Sequence, residues 1–171
     1  MLRKLFTVLL TLTMLALTGC GLADRTAEKA MEKALGVSVD EKKGEVTFQT
    51  KDGEKVTVTS QDAKEGKLPD GFPLPVFPGG KVASGGKLTI NGKTQYTVEI
   101  TFKGDVKPVG EFYAKVLKEK GFGDLFQAES STDEEDNYTL SGQSEKEAAY
   151  FFIQSLKPSK EGTLAISYGD K

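Results

Sequence analysis

The sequence predicts an α+β fold: an antiparallel sheet with one helix packed on a face, in the order β-β-α-β-β-β, preceded by a small helix plus a three-strand meander. Three observations predict it. Short runs with an apolar residue at every second position recur along the chain. Two stretches repeat at helical spacing instead. Asp-Gly and Asn-Gly pairs separate alternating runs, as tight hairpin turns require. One cysteine allows no internal disulfide, so packing alone must hold these elements together.

Residues 1–19 stand outside the fold. Arg3 and Lys4 precede a mostly apolar stretch from Leu5 to Leu17, shorter than the ~20 residues needed to cross a hydrocarbon core. These are the proportions of a secretory signal. Residues 20–23 form a short lead, and residues 24–60 the helix-plus-meander unit. Asp24 is placed to cap a helix whose Ala27, Ala30, Met31, Ala34 and Leu35 form one stripe, with Gly36 at its end. Val37 and Val39, Val46 and Phe48, and Val56 and Val58 mark three strands, broken at Lys42-Lys43-Gly44 and Lys51-Asp52-Gly53. A unit below ~40 residues with neither disulfide nor metal seldom folds alone. It therefore docks on the rest of the chain or is marginal, and docking is the favoured expectation.

Residues 61–80 read as a Pro/Gly-rich linker. Leu68 to Gly80 carries four of the six prolines, which fix φ and remove donors, so the segment is expected to be extended. Phe72, Leu74, Val76 and Phe77 between the prolines are expected to pack along the following domain. Residues 81–171 read as the α+β domain. Val82 to Ile90 and Gln95 to Phe102 form a hairpin across Asn91-Gly92. Asp105 is placed to cap a helix carrying Val106, Val109, Phe112, Tyr113, Val116 and Leu117, which Gly121 closes. Strands are expected near 125–130, 138–142 and 163–168. Over 147–156, Ser144 and Glu147 have capping-box spacing, whereas Tyr150 to Ile153 is aromatic and β-branched. Strand is preferred there because the connection to the next strand is short.

The leader ends in Leu17-Thr18-Gly19-Cys20, and the chain's sole cysteine is its last residue. This resembles the lipobox of bacterial lipoproteins, in which the cysteine is lipidated on sulfur and becomes the first mature residue. The Leu-Pro-Asp-Gly-Phe-Pro run from Leu68, the Pro78-Gly79 turn, the hairpin and the Phe112-Tyr113, Leu117, Gly121-Phe122 helix resemble a domain of small uncharacterised lipoproteins, mainly from Gram-positive bacteria. The likeness covers residues 68–168, and residues 24–59 also resemble the front end of such proteins. It implies a fold and a place on the extracytoplasmic face of the cell membrane. It implies no activity, and no functional residue beyond Cys20.

Each buried CH₂ of an acyl chain such as palmitate contributes ~0.8 kcal/mol, so a diacylated Cys20 would anchor stably where a single chain is marginal. Cleavage before Cys20 removes Arg3 and Lys4; the 23 basic residues less these two, against 25 acidic, take the net charge from −2 to −4. Such a body is not drawn to nucleic acid by its field.

Catalytic signals are poor. The chain has no histidine, which removes the commonest neutral-pH base and the usual zinc sites. Ser84-Gly85-Gly86-Lys87 has the S-x-x-K spacing of serine enzymes with a lysine base, but the glycines favour a turn over the helix start that motif needs. Gly92-Lys93-Thr94 ends like a phosphate-binding loop, yet Lys87 stands where the required glycine would be. Asp133 to Asp136 is the densest acidic run, without the central glycine of a calcium loop, and reads as a solvated turn. Asn137-Tyr138-Thr139 matches a glycosylation sequon by letter only. Tyr96, Tyr138, Phe151 and Tyr168 are the aromatics singled out for a binding face opposite the helix. The sequence thus predicts a non-enzymatic, lipid-anchored envelope protein without cofactor or metal, whose partner is a protein or small ligand. A broad exposed apolar patch would favour an accessory of a larger envelope assembly, a closed pocket a small-ligand binder, and a paired carboxylate or Ser/Lys site a hydrolase.

Overall fold

The computed structural model describes residues 36–40, 44–50, 52–61 and 66–171. The expected helix over 24–35, the leader 1–19 and the Leu17, Thr18, Gly19 and Cys20 motif lie outside the described residues. Residues 37–171 form one compact unit.

The strands are β1 (Val37–Asp40), β2 (Glu45–Gln49), β3 (Lys55–Gln61), β4 (Lys81–Ile90), β5 (Lys93–Lys103), β6 (Gly123–Ser131), β7 (Glu135–Gln143), β8 (Glu147–Leu156) and β9 (Glu161–Asp170). The helix α1 spans Val106–Glu119. All nine strands join one sheet in the order β1-β2-β3-β4-β5-β9-β8-β7-β6, and every neighbouring pair is antiparallel.

This overturns the expected α+β class. Strand makes up 58% of the described residues and helix 11%, so the protein is mostly sheet. The reason is physical. Prolines and glycines mark residues 61–80 as a break between two mixed pieces. Instead β3 pairs with β4 from Val56↔Ile90 to Gln61↔Gly85, which fuses the meander to the larger sheet. That ladder joins strands some thirty residues apart, and local periodicity carries no trace of it.

The helix solves a connection problem. β5 and β6 stand on opposite sides of the β9-β8-β7 block, four strand spacings or ~19 Å apart. A helix of 14 residues rises ~21 Å, enough to carry the chain across the face. Strands β6 to β9 then return as a meander until β9 pairs with β5.

Local chemistry explains the element ends. Asn91 and Gly92 both take positive φ, the condition for a two-residue hairpin turn whose twist matches its strands. Asp105 stands at the helix N-cap without a side-chain capping bond; its carboxylate instead pairs with Lys160 Nζ at 2.6 Å. At the other end Gly121 has φ 81°, and the Phe122 N–H donates to Leu117 O and the Gly121 N–H to Lys118 O, a Schellman closure.

The core lies between α1 and the strands β5, β9, β8 and β7. Val109, Tyr113 and Leu117 of the helix meet Val98, Ile100, Leu164, Ile166, Ile153, Phe151, Leu140 and Tyr138. Gly110 lets the helix approach closely, because a Cβ there would strike the Tyr138 ring. The proline-rich stretch lies on this core. Leu74 is buried, and Phe72, Val76 and Phe77 are partly so. Tyr113 fastens it: its hydroxyl donates to Pro75 O at 3.1 Å and accepts from the Phe77 N–H at 3.2 Å.

Candidate functional site

Strand alternation decides which side chains are left for function. Along β8, Ala149, Phe151, Ile153 and Ser155 are buried toward α1, so Tyr150, Phe152, Gln154 and Leu156 project from the opposite face. Register extends this face across the sheet. Phe126 pairs with Ser141, Ser141 with Tyr150, and Tyr150 with Ser167. The next row runs Ala128, Thr139, Phe152, Ala165 and Glu99.

Four large apolar side chains therefore lie exposed on the face opposite α1: Phe126 at 58% exposed, Tyr150 at 49%, Leu156 at 47% and Phe152 at 40%. Tyr150 and Phe152 stand ~7 Å apart along one strand, and Phe126 lies ~10 Å away across Ser141. Small hydroxyl and methyl residues fill the rows between them, so the surface is flat. An open cleft of about 400 Å³ adjoins it, lined by Thr101, Gln154, Leu156, Glu161, Gly162 and Thr163.

A second open cleft of about 390 Å³ lies by the start of α1, between Asp105, Val106 and Lys107 on one side and Glu129 to Ser131, Asp136 and Asn137 on the other. Its carboxylates are engaged. Glu129 pairs with Lys107 at 3.3 Å, whose ammonium pKa is raised by that partner. Asp136 accepts from Ser131 Oγ at 2.7 Å and pairs with Lys157 at 3.0 Å. The Ser131 bond first, and Lys157 second, hold the Asp136 carboxyl below its ordinary pKa.

The residues singled out from sequence fall elsewhere. Tyr138, Phe151 and Tyr168 are buried in the core on the helix side, not displayed on the opposite face. Tyr96 is partly buried, edge-on to Phe72 with ring centres 5.7 Å apart. Alternation within β9 puts Leu164, Ile166 and Tyr168 on one face, a signal that fixes Tyr168 inward. The run Tyr150 to Ile153 is apolar at every position, so it has no phase, and Tyr150 and Phe152 could not be told from Phe151.

Ser84 and Lys87 are not brought together. Ser84 Oγ donates to Glu99 Oε2 at 3.4 Å on the face opposite α1, while Lys87 Nζ lies 5.7 Å from the Tyr96 ring centre on the other. Lys93 and Thr94 open β5 directly after the hairpin turn. Asp133 and Glu134 occupy the β6–β7 turn, Glu135 accepts from Asn137 Nδ2 and from Gln154 Nε2, and Asp136 faces Lys157. Glu135 and Asp136 thus serve different partners, while Asp133 and Glu134 stand in the turn. Among the described residues no group of three or more His, Cys, Asp or Glu side chains could hold a metal, and no helix is long and apolar enough to cross a membrane.

No family model matches the chain, and no curated protein or solved structure matches it.

Proposed function

We propose that this protein is a non-catalytic interaction module of the cell envelope, held on the extracytoplasmic membrane face by acyl chains on Cys20. The Leu17-Thr18-Gly19-Cys20 sequence and its likeness to small bacterial lipoproteins support the anchor. One observation carries the interaction reading: Phe126, Tyr150, Phe152 and Leu156 gathered, exposed, on one flat face. Clustered apolar side chains of this size on a protein surface mark contact sites. A flat face beside open clefts suits a macromolecular surface better than a small enclosed ligand. The same patch favours the second reading, a fixed accessory of an envelope assembly.

Two experiments test the proposal. Labelling cells with a fatty-acid probe should mark the wild type and leave Cys20→Ala unmarked and outside the membrane fraction; label retained in that variant overturns the anchor. The double variant Tyr150→Ser, Phe152→Ser should keep the wild-type circular dichroism yet lose binding to solubilised envelope. Unchanged binding overturns the role of this face. Release by dilution indicates a module, whereas co-purification at fixed stoichiometry indicates an assembly component.

A further inference from the structure

We propose that the outer edge of β6, over residues 126–131, is a strand-addition site for an extended basic segment of a partner protein. This rests on the interaction reading above and names the partner's chemistry. β6 ends the strand order, and no described strand pairs with its outer side.

Hairpin geometry sets which groups that edge presents. The Thr132 N–H donates to Glu135 O at 2.9 Å, so Thr132 and Glu135 form a hydrogen-bonded pair. Bonded and non-bonded pairs alternate along an antiparallel ladder. Phe126, Ala128 and Ser130 therefore bond to β7, while Gln127, Glu129 and Ser131 aim their N–H and C=O groups outward. Side chains on the helix side already brace this edge. Tyr138 Oη donates to Gln127 Oε1 at 2.5 Å, and Lys107 holds Glu129. On the opposite side Phe126 stands exposed beside the bonded row.

Exposed edges are usually closed by lysine, proline or brevity. β1, at the other end of the sheet, is four residues long. β6 has nine residues and no Lys, Arg or Pro, although a register shift between Gly123 and Phe126 blunts its first turn of ladder. Residues 123–136 hold six carboxylates and no basic residue. Lys107 offsets Glu129, and Lys157 and Lys160 offset Asp136; Asp124, Asp133 and Glu134 form no ion pair among the described residues. A second copy pairing edge to edge would set acid against acid, which destabilises a ladder. A strand with Lys or Arg beside Asp133 and Glu134 and an apolar residue beside Phe126 satisfies both the open ladder and the charge.

The test titrates ¹⁵N-labelled mature protein with a synthetic peptide alternating lysine and valine, and with its glutamate–valine counterpart. The expected result is saturable shifts at the Gln127, Glu129 and Ser131 amides with the basic peptide only. Glu129→Pro deletes an outward N–H without removing a bond to β7, and should weaken binding about tenfold. Glu134→Gln keeps the outward β6 donors, loses a carboxylate that forms no ion pair among the described residues, and should weaken it about threefold. Phe126→Ser gives a further check should the proline variant not fold. Shifts confined to the sheet face, equal affinity for both peptides, or β6-mediated dimers in sedimentation without peptide would each overturn the proposal. If β6 stays silent while the Tyr150, Phe152 double variant still loses envelope binding, the edge site falls and the interaction reading stands.

Discussion

One ladder of hydrogen bonds runs through two regions that are built differently. In β5 to β9 one apolar face packs against α1 and is almost fully buried, with Ile100, Leu140, Phe151 and Ile153 at 0% exposed, while Phe126, Tyr150, Phe152 and Leu156 stand exposed on the other. In β1 to β4 the apolar rows are Val37, Phe48, Val56 and Ile90, and Val39, Val46, Val58 and Leu88. Leu88 pairs with Gln95 and Ile90 with Lys93, whose neighbours Tyr96 and Val98 face the helix. These rows therefore lie on the side opposite α1, where Val39 and Ile90 are exposed. The backbone ladder continues across β4 and β5 while the core does not. Sheet continuity sets geometry, and depth of burial sets stability.

The largest expected effect tests that contrast directly. Phe151→Ala should cost about 3–5 kcal/mol, the usual range for emptying a fully buried aromatic site. Phe48→Ala, at a partly buried position, should cost less than half as much, since less apolar area leaves water there. Denaturant unfolding of both variants measures this, and equal losses would erase the distinction. Native-state hydrogen exchange should likewise show the β2 and β3 amides opening before those of β8 and β9.

Tyr113→Phe should cost about 1–3 kcal/mol. It leaves Pro75 C=O and Phe77 N–H, at a partly buried site, without the hydroxyl that satisfies both. The loss should appear first as exposure of residues 72–77 to proteolysis, with β1 to β3 unaffected. Simultaneous loosening of both regions would show that they are one cooperative unit.

The contrast also shows what the sequence made legible. The period-two runs at Tyr96 to Phe102 and Leu164 to Tyr168, the helical stripe from Val106 to Leu117 and the Asn91-Gly92 turn were readable, because each signal is local. The strand preferred over 147–156 is β8. Fold class was not readable, because it turns on the β3–β4 ladder between distant residues. The interaction face was missed for a related reason. Its aromatics sit in an unphased run, and only the β7 and β9 neighbours of β8 decide which of them point inward.

Alkaline pH should selectively lower the stability of the region under α1. Burial raises the pKa of Tyr113 to about 12, and raises those of Tyr138 and Tyr168, the latter with help from Glu147. All three lie in the helix-covered region, and residues 37–90 contain no tyrosine. Below pH ~10 these phenols are protonated whether folded or unfolded, so they contribute no pH dependence. Above it the unfolded chain releases protons that the folded chain keeps. Stability then falls by up to about 1.4 kcal/mol per pH unit for each tyrosine. Exchange measured against pH should show the core amides losing protection above pH ~10 while β2 and β3 change little. A flat profile to pH ~12 would contradict the burial of these hydroxyls.

The smallest expected effect lies at acid pH, at the turn end of β6 and β7. Asp136 has a depressed folded pKa, chiefly through the Ser131 hydroxyl and then Lys157. A depressed carboxyl contributes stability above its unfolded pKa of ~4 and loses it as pH falls through the lower folded value. Asp136→Asn removes that contribution at neutral pH and, with it, part of the acid dependence. The group is near the surface and screened by solvent, so the acid midpoint should move by only a few tenths of a pH unit. The variant should approach the wild type as pH falls through the lowered folded pKa, because the wild-type carboxyl then becomes protonated and both chains lack the charge. Curves that stay parallel through the acid range would mean that the ionised Asp136 carboxylate adds nothing to folded stability. Widened separation at low pH would reverse the sign of the linkage and refute it.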